Sequence, residues 1–444
     1  MAEYARPANA QALQHNFAQI KPLMNPTMAH YESARCLYCY DAPCVQACPT
    51  GIDIPLFIRQ INTGNVDGAA STIYAANYFG NACGKVCPTE VLCEGACVYN
   101  HQDVKPIEIG RLQSFATRQA MRKQLPLATP SSSNGQRVAV IGAGPAGISC
   151  ACELTQLGYE VHLFEARAQA SGLALYGCAP YKVTNEELLE EVAYLQAQFG
   201  FSIAYNHPIN DRADLLKLEQ NYDAIFLGIG LGKTSSMGIP GENLVNSWGA
   251  TELIETIKID PLNVAIGQRV LVIGGGNTAM DAASESARMG AAAVTLAYRR
   301  SKEEMRAYGF EYDLAKAVGV KGLFNVSPIA ILGEERVEAV RLAKTQVVDG
   351  LLVKVPDSEF DWPCDMVIRA TGQSKKVAFL EQIEGLQLDS RDRIIVDPLT
   401  HQCTNPQYFA AGDAINGGAE VVNACAEAKL AAKGIHQYLQ NEKA

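Results

Sequence analysis

Short runs of β-branched residues recur along the C-terminal two-thirds of the chain, each entering a glycine turn. Arg137-Val-Ala-Val-Ile141 leads into Gly142-Ala-Gly-Pro-Ala-Gly147, and about 130 residues later Arg269-Val-Leu-Val-Ile273 leads into Gly274-Gly-Gly-Asn-Thr-Ala279. A helix-compatible stretch follows each turn, and a second apolar run follows each helix, at Tyr159–Glu165 and Ala293–Arg300. A strand, glycine turn, helix and second strand, met twice, predict two α/β dinucleotide folds. Before them the pattern is helical to about Lys123. The polar run from Leu125 to Gly135, with Pro126 and Pro130, cannot continue a helix and predicts a linker over 126–136.

Length and composition narrow this picture. With 444 residues, 48% of them hydrophobic and 19% charged, the chain has room for two to four globular domains with ample core. The net charge of −10 disfavours nucleic acid and anionic membranes as partners. The longest apolar stretch, Val138–Cys152, holds three glycines and a proline and falls short of the ~20 residues a membrane span needs. Glu3, Arg6, His15 and Lys21 interrupt the first thirty residues, so no secretory signal is expected and the predicted location is the cytoplasm. Thiols stay reduced there, and of the chain's 14 cysteines eight precede residue 98, which points to metal or redox ligands before disulfides.

The eight form two sets, Cys36-x2-Cys39-x4-Cys44-x3-Cys48-Pro49 and Cys83-x3-Cys87-Pro88-x4-Cys93-x3-Cys97. A Cys-Pro end is the habit of bacterial ferredoxins, and eight thiolates suffice for two [4Fe–4S] clusters. Four-cysteine zinc sites favour paired C-x2-C knuckles, of which there is one, so iron–sulfur is preferred to zinc. On arithmetic alone Cys83 is the eighth ligand. The region from Cys36 past Gln113, including Cys87-Pro-Thr-Glu90 and Ile109-Gly-Arg-Leu-Gln113, resembles the N-terminal domain of the dihydropyrimidine dehydrogenase family and of glutamate synthase small subunits. That resemblance implies a different set: Cys36, Cys39, Cys44 and Cys97 for one cluster, and Cys48, Cys87, Cys93 and Gln113 for the other, with Cys83 a bystander.

At the first nucleotide turn, Gly142, Gly144 and Gly147, with Ala143, Pro145 and Ala146 between them, suit a pyrophosphate at a helix N-terminus, and Glu165 ends the next strand where a ribose hydroxyl is expected. Asn405–Asp413 resembles the Gly-Asp motif of two-dinucleotide-domain flavoproteins, which implies that Gly412 and Asp413 complete an FAD site, with Val421–Ala432 as the helix beneath the flavin. Ala370-Thr371-Gly372 resembles the second crossover of those proteins. Where they have a Gly-Gly pair this chain has Ser171-Gly172, followed by Leu173, and their arginine near the flavin corresponds to Lys182.

The second turn, with Gly274, Gly275, Gly276, Asn277 and Thr278, has Ala279 at the third glycine position. Its second strand ends in Arg299 and Arg300 instead of an acid, with Arg306 further on, and guanidinium groups suit a 2′-phosphate. NADPH is therefore expected in preference to NADH. No cysteine lies between Cys178 and Cys364, which excludes the C-x-x-C chemistry of a thioredoxin reductase. His101, His162 and His401 are isolated and taken as structural, and no side chain is singled out as catalytic beyond Lys182 as a flavin neighbour.

The expected architecture is an α-helical iron–sulfur N-terminal domain (1–125) followed by two α/β Rossmann-type domains, the NAD(P) domain (246–365) inserted in an FAD domain (137–245 and 366–444). The resemblance implies the NAD(P)H-oxidising subunit of a bacterial dihydropyrimidine dehydrogenase, passing electrons from FAD through two clusters to an FMN- and iron–sulfur-containing pyrimidine-reducing subunit in a heterotetramer. The alternatives are the small subunit of glutamate synthase or of a related ferredoxin-type or bifurcating oxidoreductase, and a non-catalytic cluster-bearing scaffold. Gln113, where the alternative oxidoreductases tend to have an acid, favours the first.

Overall fold

A computed structural model describes residues 4–127 and 131–441, so Glu3 and the linker segment 128–130, with Pro130, lie outside the described residues. The N-terminal part is helical: α1 (Ala10–Asn16), α2 (Pro26–Ala34), α3 (Pro43–Gln46), α4 (Ile54–Asn62), α5 (Val66–Ala76), α6 (Gly80–Val86) and α7 (Ile109–Lys123). Asparagine or aspartate caps fix several starts; Asn25 accepts from the Met28 N–H and Asp53 from the Leu56 N–H, each ahead of a helix with proline in its first turn. The α/β part continues with β1 (Arg137–Ile141), α8 (Pro145–Gln156), β2 (Glu160–Phe164), α9 (Gly172–Gly177), α10 (Asn185–Phe199), β3 (Ser202–Ala204), α11 (Arg212–Asn221) and β4 (Ala224–Leu227). Next come β5 (Ser247–Gly249), α12 (Ala250–Ile259), β6 (Arg269–Ile273), α13 (Asn277–Arg288), β7 (Ala293–Tyr298), α14 (Gly309–Ala317) and β8 (Lys321–Phe324). The chain closes with β9 (Val326–Leu332), β10 (Ala339–Val348), β11 (Leu351–Lys354), β12 (Phe360–Pro363), β13 (Met366–Arg369), α15 (Val377–Leu380), β14 (Tyr408–Ala410), α16 (Asp413–Asn416) and α17 (Val421–Asn441).

Two compact units result. The larger comprises Ile20–Leu175, Lys182–Leu231 and the chain from Lys375 on. It holds a parallel sheet ordered β14-β4-β1-β2-β3. The strand order reverses about β1, the place where open α/β sheets bind ligands. Ile225, Leu227, Tyr408 and Ala410 on one face of this sheet pack with Leu215 and Leu218 of α11. On the other side α8 and α17 lie together, and α6 and α10 of the same unit pack against them.

The smaller unit comprises the chain up to Gln19, Tyr176–Tyr181 and Gly232–Ser374. Its parallel sheet is ordered β5-β13-β6-β7-β8. This unit is wider than the 246–365 expected from sequence, because β13 hydrogen-bonds between β5 and β6 and so belongs to the second sheet. Residues 4–19, expected with the cysteine region, also belong to it: Asn16 Nδ2 donates to the Arg288 carbonyl at 2.7 Å, and Arg288 returns a bond to the Asn16 carbonyl at 2.5 Å. An antiparallel sheet of β9, β10, β11 and β12, not anticipated from sequence, packs Ile331, Val340 and Leu342 against Leu271 and Val367 of the parallel sheet.

Candidate cofactor and iron–sulfur sites

The first cysteine set is carried by short turns. Cys36 follows α2, Tyr38 takes φ 51° to turn the chain before Cys39, Cys44 sits in α3, and Cys97 leads into a 3-10 turn at Val98–Gln102. Cys36, Cys39, Cys44 and Cys97 line one pocket whose walls are otherwise apolar, among them Ile54, Ile58, Ile107 and Ile109. Burial, reinforced by the neighbouring Cys36 and Cys97 thiolates, pushes the Cys44 thiol up to about 12. Four ionised sulfurs in such a place require a compensating positive charge, which an iron–sulfur core supplies. Among the described residues no three His, Cys, Asp or Glu side chains gather as one ion requires. A tetrahedral zinc would draw its sulfurs to within about 3.8 Å of one another. Four thiols around a cavity suit a larger inorganic core.

The second set is equally legible. Cys48 and Cys93 bear on Cys87 with their negative charges, and Cys48 on Cys93. Lys21 braces the turn that presents Cys87, its Nζ donating to the Cys87 carbonyl at 3.2 Å and to Thr89 Oγ1 at 2.7 Å. Gln113 lies on α7, buried, with Nε2 donating to the Gly80 carbonyl at the start of α6 at 2.6 Å. That bond engages the amide nitrogen and not the amide oxygen. Cys83 is buried one helical turn before Cys87 and faces Cys425 of α17.

The first glycine turn joins β1 to α8. Gly142 has φ 101°, and a Cβ there would stand 2.5 Å from the Gly228 carbonyl oxygen. A Cβ on Gly147 would overlap the Gly142 carbonyl oxygen, so only glycine allows the helix to start this close to its strand. Gly144 caps α8, with Pro145 in its first turn and Ala146 buried behind it. Glu165 follows β2 and is buried; its carboxylate accepts from the Ala143 N–H at 2.8 Å and the Arg167 N–H at 2.8 Å. The acid is thereby pinned beside the turn. Ser171 and Gly172 return to the same place, Ser171 N–H donating to the Ala143 carbonyl at 2.8 Å, with Leu173 partly exposed beyond.

Gly412 closes the site from the C-terminal side, its missing Cβ lying 3.3 Å from that of Ala146. Asp413 follows, accepting from the Ala419 N–H at 3.1 Å, and burial raises its carboxyl. Sequence reasoning missed Glu427 of α17, which accepts from the Gly412 N–H at 2.7 Å and holds the turn. Its signal was the acid inside the apolar face of Val421–Ala432. It also missed Lys376, whose Nζ donates to the Ile229 carbonyl at 2.7 Å near Glu165. Lys182 is buried and partnered, which suits a fixed cation at the start of the segment before α10.

In the smaller unit Gly274, Gly275 and Gly276 join β6 to α13. Ala370 donates its N–H to the Ile273 carbonyl at 2.8 Å, so Ala370, Thr371 and Gly372 stand beside this second turn at the end of β13. Asn277, at the start of α13 ahead of Thr278, accepts from the Tyr308 N–H at 3.0 Å. Arg299 and Arg300 follow β7, and the Arg306 N–H donates to the Gly275 carbonyl at 3.0 Å, which folds the arginine loop over the glycine turn. Arg299 and Arg306 are exposed, while Arg300 lies 3.9 Å from Glu304. His162 pairs with Tyr222 and His401 with the Ala410 carbonyl; His101 is exposed.

Two glycine-turn sheets and a thiol-lined helical region define a class, an oxidoreductase with two dinucleotide sites and an iron–sulfur region. Comparison with known proteins agrees. Residues 136–428 match the family described as pyridine nucleotide-disulphide oxidoreductase, and residues 13–125 match dihydropyrimidine dehydrogenase domain II, 4Fe-4S cluster. The chain belongs to the pyridine nucleotide-disulphide oxidoreductase family and carries that 4Fe-4S domain at its N-terminal side. It is 32% identical to the NAD-dependent dihydropyrimidine dehydrogenase subunit PreT of Escherichia coli (strain K12), over 96% of this chain and 98% of the relative. It is also 32% identical to the glutamate synthase [NADPH] small chain of Halomonas elongata, over 98% of this chain and 95% of that one. In fold it resembles Mycobacterium tuberculosis FprA in complex with NADPH, with a TM-score of 0.58 and 20% identity over 69% of this chain and 85% of that one. It is an NAD(P)H-dependent iron–sulfur flavoprotein oxidoreductase. No helix among the described residues is long and apolar enough to cross a membrane.

Proposed function

We propose that this chain is the electron-input subunit of a dihydropyrimidine dehydrogenase. When bound, the cofactors supply hydride transfer from NAD(P)H to FAD and one-electron transfer through two [4Fe–4S] clusters. The residues around Gly142–Gly147, Glu165, Gly172, Lys182, Gly412 and Asp413 bind and orient the flavin nucleotide. Gly274–Thr278, with Arg299, Arg300 and Arg306, bind the nicotinamide nucleotide, and Ala370–Gly372 border that turn. Cys36, Cys39, Cys44 and Cys97 hold one cluster; Cys48, Cys87, Cys93 and Gln113 hold the other.

The observation that carries this reading is the packing of α6, which ends at its C-cap Cys87, on α17, whose Glu427 holds the Gly412 turn. That arrangement supports an exit for electrons from the flavin toward the cysteines and on to a second protein. The 32% identity to the PreT subunit favours a pyrimidine-reducing partner, with FMN and further clusters, in a heterotetramer. Similar identity to a glutamate synthase small chain makes that complex the second reading. Affinity purification of the tagged chain from its own cells decides between them: a pyrimidine-reducing subunit is the expected companion, and a glutamate synthase large subunit overturns the assignment.

A further inference from the structure

Cys83 is the thiol that the proposed ligand set leaves over, yet the fold gives it a specific place. It stands on α6 one turn before Cys87, and the Cys87 N–H donates to the Cys83 carbonyl at 3.1 Å, so both side chains leave the same helix face. Cys425, on α17, faces Cys83, and Ser149, on α8, faces Cys425. All are buried: Cys83 is 3% exposed, Cys87 8%, and Cys425 and Ser149 not at all. The Ser149 hydroxyl has no other hydrogen-bond partner, and neither has the fully buried Asn77 amide nitrogen beside Cys83.

The four groups have a consistent polarity. The Cys83 side chain is in hydrogen-bond contact with that of Cys87 on one side and that of Cys425 on the other. A ligating Cys87 binds iron as thiolate and can only accept, so the hydrogen in its contact with Cys83 comes from Cys83, with Cys425 and then Ser149 behind it.

We propose that Cys83 is a positioning residue for the second cluster, its S–H donating to the Cys87 thiolate and backed in turn by Cys425 and Ser149. This rests on the ligand set proposed above. A donor to a ligating sulfur offsets the charge added on reduction, and so raises the potential of the cluster nearest the flavin helix. The leftover cysteine is then a tuning group, and the line Ser149, Cys425, Cys83 joins the nucleotide helix α8 to the cluster ligand.

The test uses the full chain, purified anaerobically as wild type and as Cys83→Ala, Cys83→Ser and Cys425→Ala. Iron is counted per chain, flavin content monitors the fold, and cluster potentials are read by redox titration with electron paramagnetic resonance. Wild type and all three variants are expected to hold about eight irons, as two cubanes require. In Cys83→Ala the potential of one cluster moves negative while the other stays; Cys83→Ser, which keeps a donor, lies nearer wild type, and Cys425→Ala shifts the same cluster less. Eight irons with unchanged potentials in Cys83→Ala and Cys425→Ala overturn the proposal. Loss of about four irons in Cys83→Ala makes Cys83 a ligand, overturning both the proposal and the Gln113 assignment. A wild-type chain with fewer than eight irons overturns the two-cluster reading itself, independently of Cys83.

Discussion

Glu191 shows how much a single side chain can depend on distant partners. It lies on α10, wholly buried, and its carboxylate accepts from the Asn81 N–H at 2.6 Å, the Ala82 N–H at 2.9 Å and Tyr74 Oη at 3.2 Å. Burial is the largest influence and, with the like charge of Glu187, outweighs those three donors, so the carboxyl titrates at about 7. Its folded-state value is thus above its unfolded one, and the folded chain holds the proton more tightly. Stability from this group is complete below the unfolded value, is lost as pH rises toward 7, and is level above that. The loss is about 3 kcal/mol. The difference in urea unfolding free energy between wild type and Glu191→Gln should fall by roughly that amount from pH 5 to pH 7.5; a difference independent of pH contradicts the account. At the smaller unit, Arg299→Glu should raise the KM for NADPH far more than that for NADH, and equal changes would remove the phosphate role. Sequence pointed to the arginines because they occupy a fixed place after a strand. Glu191, Glu427 and Lys21 were not legible, since their partners lie respectively 110, 15 and 66 residues away and only the tertiary fold brings them together.

The elements most legible in the sequence were those with an unbroken apolar run and a glycine turn. Arg137–Ile141, Glu160–Phe164, Arg269–Ile273 and Ala293–Tyr298 all form parallel strands, as their buried β-branched residues require. The sheet of β9 to β12 was missed, although it left a signal. Val340 and Leu342 alternate with more exposed residues, and Asp349-Gly350, at φ 50° and 78°, make the two-residue turn that joins β10 to β11. Its strands have one polar face, and a search for dinucleotide folds passes over such alternation. The glycine turns themselves carry the sharpest prediction at this scale. Gly147→Ala forces α8 away from β1, and flavin content after purification should drop severely, while a variant with full flavin would show that the helix can retreat without cost. Gly51, at φ 64° with open space about it, should accept alanine with a stability loss of only ~1 kcal/mol and full flavin.

Across the whole molecule the chain assigns one task to each region. Eight of the 14 cysteines lie in the N-terminal helical region, the first nucleotide turn lies in the same compact unit, and the second turn lies in the other unit with its own sheet. Two-domain organisation after a cysteine region was visible from motif order alone. The joining of residues 4–19 to the smaller unit was not, because Asn16 and Arg288 meet across 272 positions of sequence. The central claim is that reducing equivalents enter at a nicotinamide site and leave through the cysteines. Anaerobic titration of the purified chain with NADPH, followed by absorbance and electron paramagnetic resonance, tests it most directly. The account predicts that the flavin absorbance bleaches and reduced-cluster signals appear in the same titration; a flavin that stays oxidised, or one that bleaches while both clusters remain oxidised, contradicts it.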